Sequence, residues 1–206
     1  TVYVPNRPSG TALFKVTALD NAFNEGEDLS DAVFAVQAPA GGIAPTTLRD
    51  FDMPGSQPFD SGILNPPTAC SPCHGDYDPT MEPYYNWRGS MMAQASRDLL
   101  MEANMAIAMQ DAPDSGDICL RCHLSRGWLQ GRSVPTDGSQ MEDTDRFGVS
   151  CDLCHRMVDP FYDPVANPTE DQAILAALEH APTNIGNGKY VVDPTGARRG
   201  PFVDVG

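Results

Sequence analysis

Every cysteine in this chain belongs to one pattern. "CSPCH" at residues 70–74, "CLRCH" at 119–123 and "CDLCH" at 151–155 each set two thiols three positions apart with a histidine directly after the second, and together they use all six cysteines. The sequence around them is poor in uninterrupted segments. Nineteen prolines and 18 glycines are spread through 206 residues, which leaves 87–109 and 170–180 as the two stretches expected to form helices of useful length. A loop-rich chain of this kind folds around covalent or metal staples. Its 41% hydrophobic content is sufficient for an ordinary core beside them.

Three chemistries use closely spaced cysteines. A disulfide framework does not require a histidine after the second thiol of every pair, and a disulfide across a two-residue gap closes too short a loop to stabilise much. Structural zinc pairs two separated ligand couples, whereas each motif offers one, and adjacent side chains such as Cys73 and His74 leave the backbone in different directions. Covalent haem uses the whole pattern: two thiols form thioethers with the porphyrin vinyl groups, and the next histidine binds the iron. The expectation is therefore three haems c, attached through Cys70 and Cys73, Cys119 and Cys122, and Cys151 and Cys154. Their proximal ligands are His74, His123 and His155.

One histidine, His180, then remains for three distal positions, while the chain has nine methionines. Thioether ligation raises the potential relative to bis-histidine ligation. Histidines from a neighbouring subunit and irons left open are the other ways to meet the deficit. The segment "NWRGSMMAQASRDLLMEANMAIAMQD" carries the strongest helical signal, with Ser90 as its N-cap. Met92, Leu99, Ala103 and Ala106 fall on one stripe, and Met101, Met105 and Met109 on another. Met92 is the favoured distal candidate on its Ala- and Leu-lined face, with Met91, Met105 and Met109 behind it. Ordinary packing is the competing reading of each, because methionine fills irregular cores. The second helix, "TEDQAILAALEH", opens with Thr169 and Gln172 in capping-box spacing and stops at Pro182. His180 is placed in its last turn, as a distal ligand or as a side chain that favours the helix dipole.

A formal net charge of −15 with 13 basic residues argues against nucleic acid, which needs clustered Lys and Arg. It suits a basic redox partner, or solubility alone. No stretch has the roughly 18 apolar residues of a membrane span, and the N-terminus lacks a basic-then-apolar signal, so the chain reads as mature and soluble. Residues 11–19 and 32–37 read as short strands joined by a polar loop. Two strands are marginal alone and call for a partner sheet. Within that loop Asp20, Asn24, Glu27 and Asp31 are candidate calcium ligands, against the reading of a solvated acidic loop. The expected organisation is a β segment at 1–37, a Pro/Gly-rich connector over the surface at 38–69, and a trihaem domain at 70–206.

The stretches "YYNWRGSMMAQASRD", "SGDICLRCHLSRGWLQGRS", "FGVSCDLCHRMVDP" and "DPTGARRGPF" resemble bacterial multihaem c-type cytochromes of the periplasm and cell exterior, and "VTALDNAFNEGEDLSDAVFAV" resembles the last strands of an immunoglobulin- or fibronectin-like surface domain. The first resemblance implies a distal-ligand role for position 92, where relatives often carry histidine, and a chain that is a section of a larger cytochrome. The fold class expected is mainly α and irregular, a haem-nucleated multihaem cytochrome c with a small N-terminal β segment. The function expected is electron transfer in the periplasm or at the cell surface, within an assembly of like copies or a larger complex. The alternative is a multihaem oxidoreductase with one open iron. Tyr84, Tyr85, Trp87, Arg88, Trp128 and Arg132 are expected in haem packing and propionate contacts.

Overall fold

The structure, a computed structural model, describes residues 9–13, 15–19, 25–36 and 46–200. The chain divides into two units, Thr1–Ala44 and Pro45–Gly206.

In the first unit β1 (Ser9–Ala12) pairs antiparallel with β4 (Phe34–Val36), and β2 (Lys15–Leu19) with β3 (Glu25–Leu29). The single strand expected at 11–19 is thus two strands, with an irregular register between Ser9 and Ala12 where the first ladder bends away. The polar stretch expected as a loop contains β3, "EGEDL", in which Glu27 stands opposite Thr17. Its acidic residues carry no apolar signal, and the regular ladder to β2 makes the strand. Glu27 therefore lies in a strand rather than a calcium loop, Asp31 is exposed in a bend, and Asp20 and Asn24 lie outside the described residues. Among the described residues the strands of this unit pair only as two separate two-stranded ladders.

The second unit is helical and irregular. The long helix expected over 87–109 is four pieces: α2 (Pro83–Arg88), α3 (Met91–Gln94), a 3-10 turn at Ala95–Arg97, and α4 (Leu99–Asp111). Ser90 does cap α3, accepting from the Ala93 N–H at 3.3 Å. A second cap breaks the run: the Asp98 carboxylate accepts from the Leu100 N–H at 2.8 Å, and Asp favours that terminal role over a helix interior. On α4, Met101 and Met105 are buried, while Leu99, Ala103 and Ala106 are exposed. The helix expected over 170–180 is only α8 (Asp171–Ala176), without a side-chain cap. His180 therefore lies beyond it, where its carbonyl accepts from the Gly55 N–H at 2.8 Å. This tertiary bond, rather than Pro182, directs the chain after the helix.

The core joins Met101 and Met105 of α4, Leu120 of α5 (Gly116–His123), Leu124, and Trp128 and Leu129 of α6 (Ser125–Leu129) with Leu64, Met141, Leu153 and Val192. Leu64 comes from the stretch expected to be a surface connector, yet it is 0% exposed. Its carbonyl accepts from Arg126 Nε at 2.9 Å, and the next N–H, of Asn65, donates to Asp152 at 2.8 Å. Gly55, at φ +103°, lies so close to the Tyr190 carbonyl that a side chain there would collide with it. Leu64 thus anchors the stretch 46–69 to the core while much of the rest stays exposed as expected of a connector, and Gly55 marks a close approach to backbone.

Buried charge closes the unit. Asp145 accepts from Arg126 at 2.7 Å and from Arg132 at 2.7 and 2.6 Å. Asp152 is met by Arg198 at 2.7 Å and Arg156 at 3.6 Å. Arg199 joins Asp193 at 2.9 Å and also Asp171. A short ladder of β5 (Met157–Val158) with β6 (Val191–Val192) holds the C-terminal segment against the rest. Among the described residues no helix is long and apolar enough to cross a membrane.

Candidate haem-binding site

Each motif forms or ends a short helix: α1 (Ser71–His74, with Cys70 at its N-cap), α5 and α7 (Cys151–His155). Helical geometry is what gives the spacing its use. Positions i, i+3 and i+4 share one face, so in α5 and α7 both thiols and the imidazole present themselves to the same side, as one planar ligand requires.

The imidazoles of the second and third motifs are each held through one ring nitrogen. His123 Nδ1 lies 2.8 Å from the Ala95 carbonyl oxygen, and His155 Nδ1 lies 2.8 Å from that of Arg199. A carbonyl cannot donate, so Nδ1 is the donor in each bond, which leaves Nε2 as the nitrogen that would meet a metal. Metal-bound histidines are oriented in this way by their outer nitrogen. Both carbonyls come from remote positions. That of Ala95 sits on the 3-10 turn, which is fixed by Ser96 Oγ donating to the Arg146 carbonyl at 2.6 Å. That of Arg199 belongs to a segment whose own N–H donates back to the His155 carbonyl at 2.6 Å. This donor set, two thiols on one face with an imidazole held through Nδ1, fits haem c.

The first and third motifs lie together. Burial pushes the Cys151 thiol up to about 11, and the adjoining Cys70 thiol adds to the shift. Tyr84 of α2 packs within contact distance of Gly75, at the end of the first motif, while Trp87 on the same helix donates to the Val149 carbonyl at 2.8 Å, just before the third. Arg88 lies over the Tyr85 and Tyr84 rings at 5.2 and 6.0 Å. α2 therefore spans both motifs, and Cys73, His74, Cys154 and His155 are left accessible.

The second motif has a different setting. Arg121, between its two cysteines, is 1% exposed and lies between the Trp128 and Tyr190 rings at 4.3 and 4.8 Å. Its Nε and Nη2 donate to the Gly188 and Pro54 carbonyls at 2.6 and 3.1 Å. Burial raises the thiols of Cys119 and Cys122. Trp128 and Arg132, expected around the porphyrin, are committed elsewhere. Trp128 is in the core with its Nε1 donating to Asp117 at 2.9 Å, and Arg132 grips Asp145. Both contacts are to buried acids, and nothing local in the sequence marks which acids those are.

The distal candidates are dispersed. Met105 is packed in the core, and with Met109 it lines a cavity of about 400 Å³ between α4 and α5, against Leu120 and Leu124. Those leucines occupy a different stripe of α5 from Cys119 and His123. Met91 is 90% exposed and Met92 52%. The Met92 carbonyl accepts from the Val149 N–H at 2.9 Å, which sets this residue beside the segment entering the third motif. His180 is exposed, 3.7 Å from the Glu179 carboxylate. Sequence reasoning missed Ala95 and Arg199 because a carbonyl acceptor is common to every residue type and leaves no compositional signal.

The family model for cytochrome c554 and c-prime matches residues 69–156, the stretch that holds all three motifs. That stretch is similar to a c-type cytochrome, which supports covalently bound haem c and electron transfer as the general activity. No curated protein and no solved structure matches the chain.

Proposed function

We propose that the chain carries three haems c, one at each Cys-x-x-Cys-His motif, and passes electrons among them. The observation that carries this reading is the setting of His123 and His155, each with Nδ1 2.8 Å from a backbone carbonyl oxygen, which leaves Nε2 as the nitrogen that would meet the iron. Covalent haem supplies the electron-accepting iron. The chain's own part is to hold the imidazoles in place, to present paired thiols on short helices, and to surround the group with apolar and cationic side chains.

The adjoining Cys70 and Cys151 thiols support a spatial order that differs from the sequence order, with the first and third haems as neighbours and the second apart. Met92, held by its backbone beside the third motif, is proposed as a distal ligand, and His180 as another. The protein works outside the cytoplasm, in the periplasm or at the cell surface, with basic redox partners and within an assembly of like copies or a larger complex.

Mass spectrometry under denaturing conditions tests the central claim. The chain is expected to exceed its sequence mass by three haems that survive acid. A chain at its bare sequence mass, or one that loses a metal on acidification, would end this reading.

A further inference from the structure

The segment after β6 runs "DPTGARRG" from Asp193 to Gly200, and it is fastened to the third motif at three points and to Asp171 of α8 at one more. Arg198 Nε donates to Asp152 of α7 at 2.7 Å. The Arg199 guanidinium binds Asp193 at 2.9 Å and Asp171 at the start of α8. The Arg199 N–H donates to the His155 carbonyl at 2.6 Å, and the Arg199 carbonyl accepts from His155 Nδ1 at 2.8 Å. His155 and Arg199 thus exchange two bonds across a closed ring, and the backbone bond keeps the Arg199 carbonyl beside the imidazole that it accepts from.

Both carboxylates are themselves held. Asp171 is 1% exposed and Asp193 2%. Asp193 also accepts from the Thr195 N–H at 2.7 Å and its hydroxyl at 2.6 Å, and its own N–H donates to the Arg156 carbonyl at 2.8 Å. Arg199 meets both acids through Nη2, while Nη1 donates to the Ala197 carbonyl at 3.3 Å; the planar guanidinium fixes these donors relative to one another, whereas an ammonium is a point charge on a flexible stem.

We propose that Arg199 is the positioning residue of His155: its guanidinium, fixed by Asp171 and Asp193, holds its own carbonyl oxygen on the imidazole and so sets the orientation and basicity of the axial ligand at the third motif. The inference rests on the haem reading above. A firmly held acceptor on Nδ1–H makes the ring a stronger donor to iron, which favours the ferric state and lowers that haem's potential. The second motif reaches the same end through the Ala95 carbonyl, without an ion pair. The two sites therefore respond differently to a loss of charge-held order.

The test is Arg199→Lys in the haem-loaded protein, read by spectroelectrochemical titration and by exchange of the axial imidazole N–H protons in D2O. This change keeps the cation, so a general electrostatic role predicts no shift, while positioning predicts an upward shift of one potential out of three and faster exchange of one ring proton. Asp171→Glu, which also conserves charge but pushes the guanidinium aside, is expected to act in the same direction and serves if the first variant does not fold. Arg198→Lys, on the exposed neighbour, is expected to leave all three potentials in place. Unmoved potentials and unchanged exchange in a fully loaded Arg199→Lys protein would overturn the proposal, as would an equal shift of all three. A native chain that carries no haem at Cys151 and Cys154 would instead fail the underlying reading before any variant is made.

Discussion

Asp145 shows how much depends on single residues in a chain with few long helices. Burial alone would raise its carboxyl pKa, but hydrogen bonds from Arg132, the Glu142 N–H and Arg126 outweigh this and hold it below the usual range. A depressed folded pKa contributes stability that is present above the unfolded value near about 4 and is lost as pH falls through the folded one. Asp193 is shifted in the same direction, so thermal stability is expected to fall below about pH 4, as read by circular dichroism. Asp145→Asn should remove most of that acid sensitivity at this site and cost on the order of 3 kcal/mol at neutral pH, because two guanidiniums lose their partner. Met92 gives a second prediction. If its thioether binds iron, Met92→His should keep six-coordination and lower one potential, and Met92→Ala should produce a high-spin signal; three unmoved potentials in Met92→His would assign the side chain to packing. At this scale the sequence was most legible where residue type is the chemistry, as in the cysteines and histidines of the motifs. It was least legible where the partner is a carbonyl, as at Ala95 and Arg199.

Among the elements, the expected long helix failed at Asp98 for a local reason. The apolar and alanine-rich run is helical in propensity throughout, and a single carboxylate that caps Leu100 starts a new helix in a new direction. α8 was overextended for the opposite reason, since the bond from Gly55 to the His180 carbonyl comes from far along the chain. The stretch 46–69 misled through composition: proline and glycine density reads as a linker, yet the single apolar side chain of Leu64 inserts into the core beside Leu120, Trp128 and Leu153. Leu64→Ala is therefore expected to destabilise the haem unit by about 2–5 kcal/mol, measured by calorimetry, rather than to be neutral as a linker substitution would be. Because Leu64 packs in the core with Leu120 and Leu153, and Asn65 binds Asp152 of α7, the same change should loosen the second and third motifs together.

For the molecule as a whole, the class was readable, a helical and irregular unit with a small β segment before it, because three motifs and frequent proline leave few other arrangements. The inward placement of its arginines was not readable. Arg121 and Arg156 are nearly fully buried, and Arg126, Arg132 and Arg199 mostly so. Much of the small basic complement is thereby withdrawn from the surface, which leaves the exterior facing solvent with a field dominated by Asp and Glu. That segregation gives the protein a kinetic salt effect of definite sign. Added salt screens exposed charge within about 8 Å at physiological ionic strength and screens buried pairs much less. Stopped-flow oxidation by a cationic complex should slow as salt is added, and oxidation by an anionic complex of similar driving force should quicken. The buried ion pairs, such as those of Arg126 and Arg132 with Asp145, will hold at either salt concentration.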